Sequence, residues 1–416
     1  MKRKMSVRGA AALVAALLFT SHPHPTPAAQ SAAGEYIFAP EGGIAHASKN
    51  VSPPAVALDE KGTVYLAWIE DEKETASSVF VASSADEGKS FGPPVRVNGA
   101  GDAPSAIHAS PSFALGRKGE VYVAWISPKP GADFAGDIRF ARSLDAGKTF
   151  PPSVKVNDGT GPTSVGFESM TVGHDGKIYL AWLDGREKGK GTTGTYFAAS
   201  TDGGRTFGKN VRIDANSCPC CRTAIATAPD GTIYAAWRKV FEGDVREIVI
   251  TRSDDSGKSF SAPSIVGNDK WVIAGCPHRG PSLAVSPDGA VNITWYSEGD
   301  GLPKIFSGRA AEQGIIFAKA PIPVTPGFFP DHPALAMVDG RTVKTWEEVT
   351  PVFGNIMFTL AGGAARQLSV GPRKSGYPAI VGNAKGLVAV AWQKDEMRIS
   401  KTLVRVGRFT AAESAK

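Results

Sequence analysis

Long hydrophobic runs are almost absent from this chain. A helix that crosses a bilayer needs about 18 or more largely uninterrupted apolar residues, and after the first residues no stretch comes close. The nearest is 10–19, in a segment that begins with Lys2, Arg3, Lys4 and Arg8 and ends in small residues at 28–33. A basic start, a short apolar centre and a small-residue end are the pattern of a secretory leader rather than of a span. Residues 1–33 are therefore expected to be signal peptide and linker, and the protein to be exported, periplasmic or secreted. The mature chain is expected to have no transmembrane segment.

Amphipathic helical runs are missing too. The 47 Gly and 30 Pro among 416 residues cut the apolar segments into short pieces, which points to many strands joined by turns. An apolar fraction of 42% excludes a disordered chain. Excess charge is also lacking. The formal +6 includes the four basic residues of the leader, which carries no acid before Glu35, so the remainder is 42 basic against 40 acidic, or +2. A nucleic-acid partner has little electrostatic support on such a surface.

What the chain does have is a repeat. GTVYLAW, GEVYVAW, GKIYLAW, GTIYAAW, GAVNITW, GRTVKTW and GLVAVAW end at Trp68, Trp125, Trp182, Trp237, Trp295, Trp346 and Trp392, spaced 57, 57, 55, 58, 51 and 46 residues apart. Periods of this length belong to propeller arrays. Each unit runs from a short apolar segment through a Gly turn to the Trp strand. A third strand and, after a tight loop, a short fourth one follow. Four strands per unit repeated radially predict an all-β protein, a single β-propeller over 34–410 with a disordered tail at 411–416. The last unit lacks its fourth strand, which YIFAP (36–40) can supply by closing the ring. That count is seven blades; six is the alternative if the last two shortened units fold differently.

The loop before the fourth strand reads SADEGKSF, SLDAGKTF, STDGGRTF and SDDSGKSF in four units. An Asp in a tight turn accepts backbone N–H bonds and the Gly supplies positive φ, so Asp86, Asp145, Asp202 and Asp255 read as structural turn staples. At these motifs the chain resembles the Asp-box (bacterial neuraminidase repeat) superfamily of sialidase-like propellers. The resemblance implies a ligand at the central axis.

Strand direction places the other loops. The first-to-second turns and the Asp-box loops share one face, while the blade connections and the loops after each Trp share the other. That second face gathers His108, Glu168, Arg222, His278, Arg279, Asp331, His332 and Tyr377 from the connections, with Arg238, Tyr296 and Glu347 after the tryptophans. Such polar residues can also simply line a wet channel.

Sialidases of the superfamily clamp a carboxylate with three arginines and use a Tyr nucleophile activated by Glu. The resemblance therefore nominates Arg222, Arg238 and Arg279 for the anion. Tyr296 or Tyr377 is the candidate nucleophile, with Glu168 or Glu347 as its partner, while His108, His278, Asp331 and His332 complete the ligand-binding set. The region matching the family's first arginine reads NVSPPAVAL, without one. A glycan or glycoconjugate is the expected partner and the expected state is a monomer. The alternative is a non-catalytic propeller that binds a partner protein, a glycan or a metal through its rim.

Cysteine is scarce. Three of the four, Cys218, Cys220 and Cys221, lie in NSCPCCR, and Cys276 lies in the next connection, GCPHRGP. Adjacent blades bring these loops together. In an exported protein the even count predicts disulfides, with the blade-four loop bonded to Cys276. No cofactor is then expected. The alternative is copper or zinc held by the thiolates and His278.

Overall fold

The computed structural model describes residues 34–411, apart from short stretches at 47, 49, 74–75, 105–109, 130–134, 188–192, 311–314, 362, 372 and 397–398. The leader and the expected tail beyond Ala411 lie outside the described residues.

Seven antiparallel sheets of four principal strands form a ring. The innermost strands are Ala55–Leu58, Ser112–Leu115, Val165–Val172, Ala224–Thr227, Ser282–Val285, Phe329–Val338 and Ser375–Gly382, each packed beside the next, with the seventh against the first. The seventh blade closes as YIFAP predicts. Gly34–Phe38 pairs with the last strand, Ser400–Ala411, in the register Gly34↔Ala411 to Phe38↔Gly407, and Gly42–Ala45 continues along the same strand. Joining the two ends removes the exposed edges that an open sheet would present.

Most Trp strands are buried on both faces, and the third blade shows why. Ile178–Asp184 is buried along its whole length because each blade packs between two others. Tyr122, Ala124 and Ile138 of the second blade, for example, share one cluster with Ile178, Leu180 and Trp182 of the third. All seven repeat tryptophans are buried, and burying a ring of that size contributes about 2–3 kcal/mol. Six of the seven indole N–H groups find acceptors. Trp68, Trp182 and Trp346 donate to Glu70, Asp184 and Glu348 two residues on, which lie on the same strand face by the period of two.

The four S-x-D loops share one hydrogen-bond scheme. In the second blade, Ser143 Oγ and Thr149 N donate to Asp145 Oδ1, while Gly147 N donates to Ser143 Oγ at 2.9 Å. Gly147 sits at φ 84°, where a Cβ is costly. Hydrogen bonds from Ser143 and Thr149 hold the Asp145 carboxyl below its ordinary range.

Candidate functional site

The connections that enter the blades enclose a cavity of about 750 Å³ at one end of the axis. Arg222, Cys276, His278, Arg279, His332 and Tyr377 line it, together with Phe167, Ser110 and Pro53. His108 lies outside the described residues. Glu168, Arg238, Tyr296, Asp331 and Glu347 are buried behind the lining instead.

Local backbone geometry explains why these side chains converge. Three inner strands carry a β-bulge at their start, between Gly166 and Ser169, Asp331 and Ala334, and Gly376 and Ala379. The bulged residues Phe167, His332 and Tyr377 have φ of 58°, 43° and 55°, and His278 in the fifth blade has 56°. A bulge re-aims a side chain at the cost of a strained left-handed residue, a cost on the order of 1–3 kcal/mol that packing must offset. Four such residues lie around one cavity.

His332 is the best-positioned titratable group. Its Nδ1 lies 2.9 Å from Glu347 Oε1, its ring centroid is 4.5 Å from that of Tyr377, and its backbone N donates to Asp331 Oδ1. Burial works against the imidazolium, but the bond to Glu347 and the charges of Glu347 and Asp331 outweigh it and raise the His332 pKa. With Nδ1 occupied by Glu347, Nε2 is the nitrogen free to exchange a proton. Glu347 Oε2 also accepts from Tyr377 N at 2.8 Å. The approach depends on Gly376, where a Cβ would stand 2.5 Å from that oxygen. Tyr377, 43% exposed, has its phenol pKa raised by burial and by Glu347.

The three arginines do not form a free cluster. Arg222 donates through Nη1 to Glu168 O and through Nη2 to Ser110 O, both at 2.6 Å, which ties three blades together. Arg238 is 0% exposed and donates to Arg279 O and Tyr296 O, with its guanidinium 4.8 Å from the Trp271 ring centroid. Arg279 reaches the cavity in a bidentate pair with Asp331, stacked 4.6 Å over the Tyr296 ring. Tyr296, proposed as nucleophile, is buried under Arg279 and donates to Glu298. Glu168, proposed as its partner, is 1% exposed, with Oε2 unpartnered. Burial raises its pKa to about 7 against the lowering effect of Arg222.

The cysteines correct the disulfide expectation: all four are free. Cys218 Sγ stands 3.7 Å from Cys220 Sγ and 3.6 Å from Cys221 Sγ, whereas a disulfide needs about 2.05 Å. The segment is held by Ser217 N donating to Thr193 O and Cys218 N to Arg238 O, each at 2.8 Å. Those bonds hold the three thiols of the loop together, and Cys220 Sγ also lies within 4.8 Å of the exposed Cys276 Sγ, with no bond formed between them.

Phe167, like Pro53 and Ser110, lines the cavity without having been nominated from the sequence. A signal was present: Pro53, Ser110, Phe167, Arg222 and Tyr377 each stand fifteen residues before their repeat tryptophan, and all five line the cavity.

A family model described as BNR repeat-like domain matches residues 62–270. Among solved structures, a protein of unknown function from Dyadobacter fermentans DSM 18053 is similar at 15% identity and TM-score 0.53, covering 91% of this chain and 100% of that one. A polysaccharide lyase, an ulvan lyase bound to a saccharide of GlcA and Rha3S, is similar at 12% identity and TM-score 0.59, covering 88% and 95%. The polysaccharide lyase Uly1 is similar at 10% identity and TM-score 0.52, covering 88% and 91%. At these identities the likeness is one of fold. No curated protein matches the chain.

Proposed function

The chain belongs to the BNR repeat-like family of sialidase-like propellers, and from that premise we propose that it acts on a glycan in its central cavity, with His332 and Tyr377 as the proton-transfer pair. One observation carries the reading. His332, held by Glu347 and lying against Tyr377, is a hydrogen-bonded acid–base group at the wall of a cavity large enough for a sugar residue or two.

The roles follow from the chemistry. Protonated His332 donates through Nε2 to a departing glycosidic oxygen, and the charge of Glu347 stabilises its imidazolium. Tyr377 offers a phenol that can approach an anionic sugar without the repulsion a carboxylate would meet. Arg279 supplies positive charge beside them, already neutralised in part by Asp331.

An acidic glycan is the substrate class this set favours. The ulvan lyase that shares the fold is bound to a saccharide containing GlcA, an acidic glycan. The exo-sialidase form is less favoured, because it needs three arginines around one carboxylate and each of the three is bonded to protein.

The test is incubation with a fluorogenic sialoside, aryl glycosides and uronate-containing polysaccharides, reading both new reducing ends and unsaturated products. Turnover of an acidic glycan, lost in His332→Ala and Tyr377→Phe, is expected. No turnover and no binding across the panel would remove the proposal.

A further inference from the structure

Three buried thiols in mutual contact, with no bond between them, need a chemical reason. Cys218, Cys220 and Cys221 are 0%, 4% and 0% exposed, and their ligand atoms all lie within 4.8 Å of one another. The two separations from Cys218, 3.7 and 3.6 Å, match the edge of a thiolate-ligated site. With metal–sulfur bonds of about 2.3 Å, tetrahedral ligands stand about 3.8 Å apart.

A second observation points the same way. Arg246, itself buried, donates from Nη1 to Cys218 Sγ at 3.0 Å. A guanidinium has no acceptor, so this sulfur accepts, as a ligating thiolate does from the residues behind it. The carboxylate that pairs with Arg246 is Asp244, at 3.5 Å.

A third observation adds direction. Cys220 also forms a set with Cys276 and His278, and both of these are exposed and line the cavity. Phe167 packs on the three thiols and lies 6.2 Å from the His278 ring. One sulfur is thus shared between a buried trio and an open one.

We propose that Cys218, Cys220 and Cys221 bind one closed-shell thiophilic cation, zinc(II) or copper(I), and that Cys276 and His278, through the shared Cys220, form the port by which it exchanges with the cavity. Thiolate sulfur selects these ions, and imidazole suits both. Hard oxygen-seeking cations are disfavoured because neither set contains an oxygen ligand. Binding converts each remaining thiol to thiolate and releases its proton to solvent, so affinity falls as pH falls. The other acidic set, Asp331, His332 and Glu347, carries no such inference. Both Asp331 oxygens are taken up by Arg279, and the Glu347 oxygens by His332 Nδ1 and Tyr377 N, so the donor atoms of that set are already satisfied within the protein.

The full chain, reduced and stripped of metal under anaerobic conditions, is titrated in two arms. One uses cobalt(II) as the spectroscopic stand-in for zinc, followed by zinc displacement. The other uses copper(I) against a chromogenic chelator. One ion per chain is expected in at least one arm, with Cys218, Cys220 and Cys221 alkylated more slowly in the loaded than in the metal-stripped unmutated protein, as read in a peptide map. Cys218→Ser and Cys221→Ser should each lose that stoichiometry. Cys276→Ser combined with His278→Ala should keep one ion but slow its transfer from a chelated donor by about tenfold or more. No ion in either arm, a Cys218–Cys221 disulfide in the non-reduced map, or binding that survives Cys218→Ser yet vanishes in the port variant would overturn the assignment. The alkylation map decides even if a serine variant fails to fold.

Discussion

Glu168→Gln isolates a single buried carboxyl. The Glu168 side chain has an oxygen without a partner, and burial raises its pKa from 4.5 to about 7 in the folded protein. The unfolded chain ionises this group near 4.5, so between the two values the folded state holds a proton that the unfolded state has released. A raised carboxyl pKa therefore contributes stability that is complete below about pH 4.5 and is lost as pH rises through about 7. Each pKa unit corresponds to about 1.4 kcal/mol, so the shift corresponds to about 3 kcal/mol lost by about pH 8. Glutamine keeps the shape and never ionises. The backbone carbonyl of residue 168, which accepts from Arg222 and Ser112, is unaffected. Urea unfolding of both proteins at about pH 4 and about pH 8 reads the difference. The variant should match the wild type at the lower pH and exceed it by about 3 kcal/mol at the higher. Parallel behaviour of the two proteins across this range would refute the reasoning.

Glu347→Gln removes the charge that raises the His332 pKa, so if His332 acts as the acid, the alkaline limb of the pH–rate profile should move to lower pH while the fold, followed by circular dichroism, persists. Gly376→Ala puts a Cβ 2.5 Å from Glu347 Oε2; we expect a loss of about 1–3 kcal/mol in denaturant unfolding and a larger proportional loss of turnover, because Glu347 also holds Tyr377 N and His332. Trp182→Ala, at a fully buried site between two blades, should cost about 3–5 kcal/mol, read as a fall in the urea midpoint. Deleting 34–45 removes the strands that complete the seventh blade, and size-exclusion chromatography should then show self-association through the freed edge of Ser400–Ala411.

The architecture was legible because its signals repeat. A tryptophan at one point of every unit marks the second strand, strand reversal assigns each loop to a face, and the missing last strand finds its complement at the chain start. Pairing and period are local rules, so counting residues recovers them. The site was legible only as a set of positions. Arg222, His278, Arg279, His332 and Tyr377 do reach the cavity, yet counting could not show that Arg222 is taken up by two carbonyls or that Arg238 and Glu168 are enclosed. Phe167 escaped notice for a related reason. Its role comes from a bulge and a left-handed φ, and nothing in the residue type announces either.

The amino-acid order by itself determined a seven-unit ring, its closing strand and the face where the blade connections gather, since these depend on periodicity and on hydrogen-bond direction along the chain. Only the tertiary structure decided which charged groups are free to act. An arginine meets a ligand or a carbonyl, and a thiol meets a partner sulfur at bonding or at ligating distance, according to differences of an ångström or two in how the connecting loops fold and pack. In NSCPCCR that margin leaves the sulfurs of Cys220 and Cys221 at 3.7 and 3.6 Å from Cys218 Sγ, too far for a disulfide and at the spacing of ligands around one ion.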